Sequence, residues 1–157
     1  MRPMTAPTRD KPEWYADGLT FSCTQCGNCC TGPPGYVWFT DEELDQMAAF
    51  AHITPDQFRD LYAHKVGRRW TLNERKVNGK YDCIFLKRDD EGKALCGIYD
   101  ARPMQCRTWP FWPDNLRSTR AWDKAAKGCP GMAAGKLGEG NLYPVEQIRI
   151  QRDKTPV

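Results

Sequence analysis

Apolar positions recur at helical spacing in only a few short stretches of this chain, each introduced by a start signal. Thr40 can cap free amides, Glu43 completes a capping box, and Leu44, Met47, Ala48 and Ala51 then share one face. The spacing predicts a helix over about 41–51. Thr54, Pro55 and Gln57 repeat the signal ahead of Phe58, Leu61 and Tyr62, so a second helix is expected over about 55–65, ended by Gly67. Beyond it the period shortens. Residues 70–77 alternate loosely, Asn78-Gly79 is a two-residue turn, and 81–86 is rich in strand formers, which predicts a hairpin. Residues 89–93 form a polar turn into a third strand over 94–99, and 37–39 reads as a short strand after the turn-rich TGPPGY segment. In RPMQCRTWPFWP, from 102, Pro103 can open one helical turn, while Pro110 and Pro113 forbid a long one. Residues 116–127 fit a strand or a helix, Gly128-Cys129-Pro130-Gly131 reads as a sharp turn, and a terminal helix is expected over 144–151.

Composition narrows the class. The chain has 157 residues, 40% of them from the set AVILMFWYC, but eight of these are cysteines. With 13 glycines, 12 prolines and a mean hydropathy of -0.71, the core is lean and much of the backbone irregular. The expected fold is a small irregular α+β domain with two or three short helices and a small antiparallel sheet, stapled by something beyond apolar burial. Residues 1–17 are expected as a flexible tail, 18–152 as the domain and 153–157 as a C-terminal tail. No apolar run approaches the roughly 20 residues of a membrane span. The first residues carry prolines and charges where an export signal would be apolar, so a cytoplasmic protein with reduced thiols is expected. A net charge of +3 gives no reason to expect nucleic acid.

The chemistry lies in the cysteines. Cys23, Cys26, Cys29 and Cys30 spell C-x-x-C-x-x-C-C, and Gly27 allows the tight backbone of a metal knuckle. Three of these sulfurs could serve one centre, whether zinc or an iron-sulfur cluster. Adjacent residues of an extended chain point to opposite sides, so Cys29 and Cys30 are expected to serve different centres, or one of them to act as a supporting or reactive thiol. Cys83, Cys96, Cys106 and Cys129 are separated by 12, 9 and 22 residues, form no local chelate, and must be gathered by the fold. Disulfides and isolated buried thiols are the competing readings; the first needs an oxidising compartment and the second does not explain the close quartet.

Four segments in order, F-x-C-x-x-C-G-x-C-C at 21–30, C-I-F-L at 83–86, C-x-I-Y-D-x-R-P-x-x-C at 96–106 and C-P-G at 129–131, resemble the YkgJ-type CxxCxxCC family of zinc- or iron-chelating proteins. The resemblance implies that all eight cysteines, Cys23, Cys26, Cys29, Cys30, Cys83, Cys96, Cys106 and Cys129, are ligands. It also implies a zinc or iron ion, or an iron-sulfur cluster, as cofactor. The wider group is similar to the cysteine-rich part of flagellin lysine methylating proteins, which implies an alternative: an iron-sulfur-dependent protein-modifying enzyme acting on a protein partner. No catalytic residue maps from that likeness, so enzyme and binding protein both stay open.

Other candidates are weaker. His52 and His64 lie beside predicted helices and read as helix-end residues. Asp41, Glu42, Glu43 and Asp45 suit the positive end of a helix. Arg102 and Arg107 could offset thiolate charge near Cys106, or Arg102 could pair with Asp100. Trp109, Phe111 and Trp112 are expected in the core, where they could also cover a metal centre. Phosphate-loop, dinucleotide and nucleophile-elbow motifs are missing, which removes the usual anchors of nucleotide enzymes and hydrolases.

Overall fold

Both capping boxes form as the sequence predicts in the computed structural model, which describes residues 12–156. Thr40 and Glu43 exchange side-chain to backbone hydrogen bonds of 3.2 Å to open α1 (Asp41–Phe50). Thr54 and Gln57 do the same for α2 (Pro55–Tyr62). The helices bury Leu44, Met47, Ala48 and Phe58. The α2 stripe stops earlier than the sequence suggests. After β1 (Leu19–Phe21) and β2 (Trp38–Phe39), the next strand, β3 (Ala63–Val66), occupies what was expected as the last turn of that helix. It pairs with β4 (Arg69–Leu72), and β2 lies on the other side of β4. Gly67 therefore turns a hairpin, with φ at +62°, instead of ending a helix.

The expected single strand over 70–77 is two. Asn73 breaks it by donating its amide to the Tyr62 carbonyl at 2.8 Å, and β5 (Glu74–Val77) then pairs with β6 (Lys80–Cys83). Asn78 and Gly79 both have positive φ, as a two-residue hairpin turn requires. A turn at 84–85 separates β6 from β7 (Leu86–Arg88), which pairs with β8 (Ala94–Cys96) around amides capped by the Asp89 carboxylate. Strand character expected up to Tyr99 ends at Cys96, because Tyr99–Ala101 closes into a 3-10 turn.

The second half is more helical than expected. It contains α3 (Met104–Thr108), α4 (Pro113–Leu116), α5 (Thr119–Ala126), α6 (Pro130–Lys136), β9 (Asn141–Tyr143) and α7 (Val145–Lys154). Ser118 caps α5, which makes that ambiguous stretch a helix. Pro130 starts α6 at a position where its missing N–H costs nothing, so the predicted sharp turn is a helix entry. β9 pairs antiparallel with β1. The class remains α+β, with several small sheets in place of one.

Two apolar clusters result. Leu44, Met47, Phe58, Leu72, Phe85 and Ile98 form one, while Phe21, Phe111, Trp122, Met132 and Ile148 belong to the other. Residues 13–15 and Thr155 are tied to the second half of the fold. Glu13 holds Arg149 through two hydrogen bonds, Trp14 Nε1 donates to the Leu116 carbonyl at 2.8 Å, and Tyr15 is buried. Thr155, also buried, hydrogen-bonds Thr108 at 2.6 Å. Residues 13–15 and 155, which fall within the tails expected over 1–17 and 153–157, make these side-chain contacts; residues 1–11 and Val157 lie outside the described residues.

Candidate metal centre

β1 runs directly into the cysteine loop, and α6 fixes β1 from behind. Gly131 and Gly135 lie against the Ser22 and Thr20 carbonyls so closely that neither has room for a Cβ. The loop is then held from several sides. Gly27, at φ +78°, presses on Ala94; the Ala94 amide donates to the Gln25 carbonyl at 3.0 Å; Arg88 donates to the Cys26 carbonyl at 3.2 Å. Asn28 Nδ2 reaches the Gly128 carbonyl at 2.9 Å, one residue from Cys129. Thr31 donates to the Asp82 carboxylate on β6.

Asn28–Cys30 is a 3-10 turn, closed by the Cys30 amide on the Gly27 carbonyl at 2.9 Å. This replaces the extended backbone on which the expectation for Cys29 and Cys30 rested. Tight winding brings their sulfurs to 3.8 Å, on the same side. That separation matches the sulfur-sulfur edge of about 3.8 Å in a tetrahedron with metal-sulfur bonds of 2.3 Å.

One cavity of about 250 Å³ gathers six of the eight cysteines: Cys23, Cys29, Cys30, Cys83, Cys96 and Cys106. They arrive on the loop, at the ends of β6 and β8, and on α3. Leu72, Phe85, Leu86 and Ile98 supply apolar wall, and Arg102 lines the cavity as well. Cys26 and Cys129 are not on its wall, but the Cys26 thiol acts electrostatically on Cys129, which identifies them as neighbours. All eight are free thiols.

A local geometry recurs at five of the sulfurs. The amide two residues onward donates to Cys23 at 3.3 Å and to Cys26 at 3.4 Å. The Phe85 amide acts on Cys83 and the Ile98 amide on Cys96 from the same relative position, and the Met132 and Gly131 amides act on Cys129 in the same sense. At Cys83, Cys96 and Cys129 these amides favour the thiolate over the thiol, since a neutral S–H gains less from them. Burial works the other way. It pushes Cys83 up to about 11 and also raises Cys96, Cys106 and Cys129. Cys29 is held down at about 7, first by the Cys30 thiol donating to it and further by Arg102; Cys30 is raised by the same sharing. The pair carries one negative charge before it carries two.

The two arginines divide. Arg107 donates to the Arg102 and Asp100 carbonyls at 2.8 and 2.7 Å and clamps the 3-10 turn. Arg102 lies 3.8 Å over the Tyr99 ring, with its charge acting on Cys29, Cys96 and Cys106. No Asp100–Arg102 ion pair occurs among the described residues. Phe111 is buried in the core as expected, and Trp109, which packs against that core, also donates to the Cys129 sulfur. Neither histidine lines the cavity. Among the described residues no three His, Cys, Asp or Glu side chains already form a group that could hold a metal ion. The donor set nonetheless suits a soft metal: thiols dominate its polar groups, amides point at the sulfurs, and a guanidinium offsets their charge.

The sequence profile of the CxxCxxCC family, described as “Putative zinc- or iron-chelating domain”, matches residues 22–130. The chain belongs to that family. In this CxxCxxCC protein the matched segment spans all eight cysteines, while β9, α7 and nearly all of α6 lie beyond it. MJ0661, an uncharacterized protein of Methanocaldococcus jannaschii, is 31% identical over 97 residues, covering 62% of this chain. The chain spans about half of that relative, 48% of its length. No solved structure matches. No helix among the described residues is long and apolar enough to cross a membrane. The family name covers zinc or iron chelation but says nothing of the amide donors, Arg102, or the glycine pair of α6. Of these, Arg102 is readable from its place beside Cys106 and the glycine pair from small residues four apart on one helix face, Gly131-x-x-x-Gly135, while the amide donors have no such signal.

Proposed function

We propose that the protein binds zinc or iron, as an ion or an iron-sulfur cluster, through its eight cysteines as thiolates. Cys23, Cys29, Cys30, Cys83, Cys96 and Cys106 serve the cavity, and Cys26 with Cys129 serve a second locus beside it. The observation that carries this reading is the convergence of six thiols from four separate segments on one cavity. When bound, the metal supplies a multivalent crosslink and neutralises several thiolates at once. The chain's part is to pre-orient sulfurs by their amide donors, to place the Arg102 charge near them, and to keep water from the apolar wall.

The test is elemental analysis of protein purified without oxygen or chelators, with acid-labile sulfide and visible absorption measured alongside. Zinc or iron bound at or above one equivalent is expected, and Cys30→Ser and Cys106→Ser should each lower it. Folded protein devoid of both metals, unable to take up either, would refute the proposal. Sulfide and colour separate a cluster from a plain ion.

A further inference from the structure

The wall of the cysteine cavity has a second side. Leu72, Cys83 and Phe85 face the thiols, whereas Asn73, Glu74 and Ile84 line a separate cleft of about 500 Å³ behind them. This volume falls in the range of roughly 300 to 1,000 Å³ typical of small-molecule sites, and its walls are of the same kind. Pro34, Tyr36, Tyr81 and Ile84 provide apolar and aromatic surface, with His64 and Glu74 among them.

His64 and Glu74 bring acceptors to the cleft, beside the Asn73 amide and the tyrosine hydroxyls. His64 Nδ1 lies 2.7 Å from Asn73 Oδ1; since an amide oxygen only accepts, Nδ1 is the donor, and in the tautomer with one N–H the Nε2 atom keeps a lone pair. Glu74 Oε1 takes the Gly35 amide at 3.0 Å, leaving Oε2. No ion pair reaches Glu74 among the described residues, and Arg75 beside it is turned to the Leu86 carbonyl. An unpaired, half-buried carboxylate with a ring nitrogen and the Tyr36 ring around it calls for a cation rich in donors; the Tyr81 ring already has the Lys76 ammonium 5.9 Å from its centre. The neighbourhood already favours a flat one: Arg69 stacks 4.2 Å over Trp38, which stacks at 4.6 Å on Tyr36. A guanidinium presents five N–H groups in a plane that meets a carboxylate edge-on and an aromatic ring face-on, which a compact ammonium cannot do.

We propose that this cleft binds a small guanidinium-bearing molecule, with Glu74 as counter-ion, His64 as acceptor, and Tyr36 as stacking surface. The site is separate from metal chelation and stands or falls without it.

Ethylguanidinium is the probe, with ethylurea as its neutral planar isostere and butyrate as an anion. The chain has two histidines, so His64 ring signals in a proton-carbon NMR spectrum of the full-length, as-purified protein are assigned with one His52→Asn variant. Saturable shifts of His64 by ethylguanidinium are expected, with ethylurea weaker by roughly tenfold or more and butyrate silent. Glu74→Gln should weaken binding by a similar factor, and Tyr36→Ala, at an exposed position, should weaken it with the fold unchanged by circular dichroism. No His64 response up to concentrations on the order of 10 mM, an equal response to ethylurea, or full binding by folded Glu74→Gln overturns the proposal.

Discussion

Gly135→Ala separates what the sequence would suggest from what packing demands. Alanine is the better helix former by about 0.5–1 kcal/mol, so propensity alone predicts a more stable α6. In the fold, a Cβ at 135 would lie 1.8 Å from the Thr20 carbonyl oxygen and 2.7 Å from its carbon, against ordinary contacts of 3.4–4 Å. The helix or the strand must yield by roughly 1.6 Å. Thr20 cannot swing aside as a side-chain end would, because it pairs with Leu142 in the middle of the β1–β9 ladder. Overpacking of this kind costs about 1–3 kcal/mol, and the absence of a flexible neighbour argues for the upper end. Less the propensity gain, a net loss of about 2 kcal/mol is expected, a fall of about 4–8 °C in Tm for a chain of this size. Thermal and denaturant unfolding of metal-loaded protein measure it. Gly128→Ala is the control: a Cβ there meets nothing closer than 3.9 Å, and no change is expected. A Gly135→Ala protein as stable as the parent, or more so, refutes the close docking of α6 on β1.

Glu43 joins α1 to the segment carrying Cys106, since its second carboxylate oxygen accepts the Met104 amide at 2.7 Å. Glu43→Ala should therefore cost about 2 kcal/mol where Thr40→Ala costs about 1, and equal losses in denaturant unfolding would show that this link carries nothing. Metal uptake should weaken as pH falls from about 8 to 6, because thiols held at or above neutrality must lose protons to bind. Burial raises Cys83, Cys96 and Cys106 in that sense, and calorimetry in buffers of different ionisation enthalpy should find protons released per metal; pH-independent affinity would contradict this. In protein stripped of metal, alkylation of Cys29 should titrate near 7, and Cys30→Ala should move that midpoint up more than Arg102→Gln does, following the order of their effects. Mass spectrometry of the alkylated peptide reads both, and the reverse order would displace Cys30 as the main donor.

Features encoded by neighbouring residues were legible from the chain alone. The capping boxes at Thr40 and Thr54, the Asn78-Gly79 hairpin and the Asp89 turn each depend on residues within a few positions, and each forms. Errors arose where a distant partner decided. Ala63–Val66 fits the end of the α2 stripe, yet β4 offers it a ladder, and a strand wins. β1 and β9 lie far apart in sequence and have no local signature strong enough to announce either. The cysteine quartet was plain, but the relation of Cys29 to Cys30 depended on whether Gly27 starts extended chain or a 3-10 turn, and spacing cannot tell these apart.

The arrangement of the two apolar clusters explains why thiols, more than apolar burial, suit this chain as a staple. Cys83 and Cys96 pack against the cluster of α1 and α2, and Cys129 belongs to the cluster of α5, α6 and α7. The loop of Cys23 to Cys30 leaves β1 beside one cluster and presses on β8 at the other, with Arg88 and Asn28 fastening it to each in turn. Hydrogen bonds of this exposed kind contribute about 1 kcal/mol each at most and hold a loop only as firmly as its ends are held. A metal held by sulfurs from the loop, from β6, β8 and α3 would add bonds that do not depend on area. On the proposal above, the adjacency of Cys29 and Cys30 has a purpose in that scheme. Two sulfurs fixed at 3.8 Å by a single turn present half of a tetrahedral set in advance, so the ordering cost falls on the remaining ligands alone.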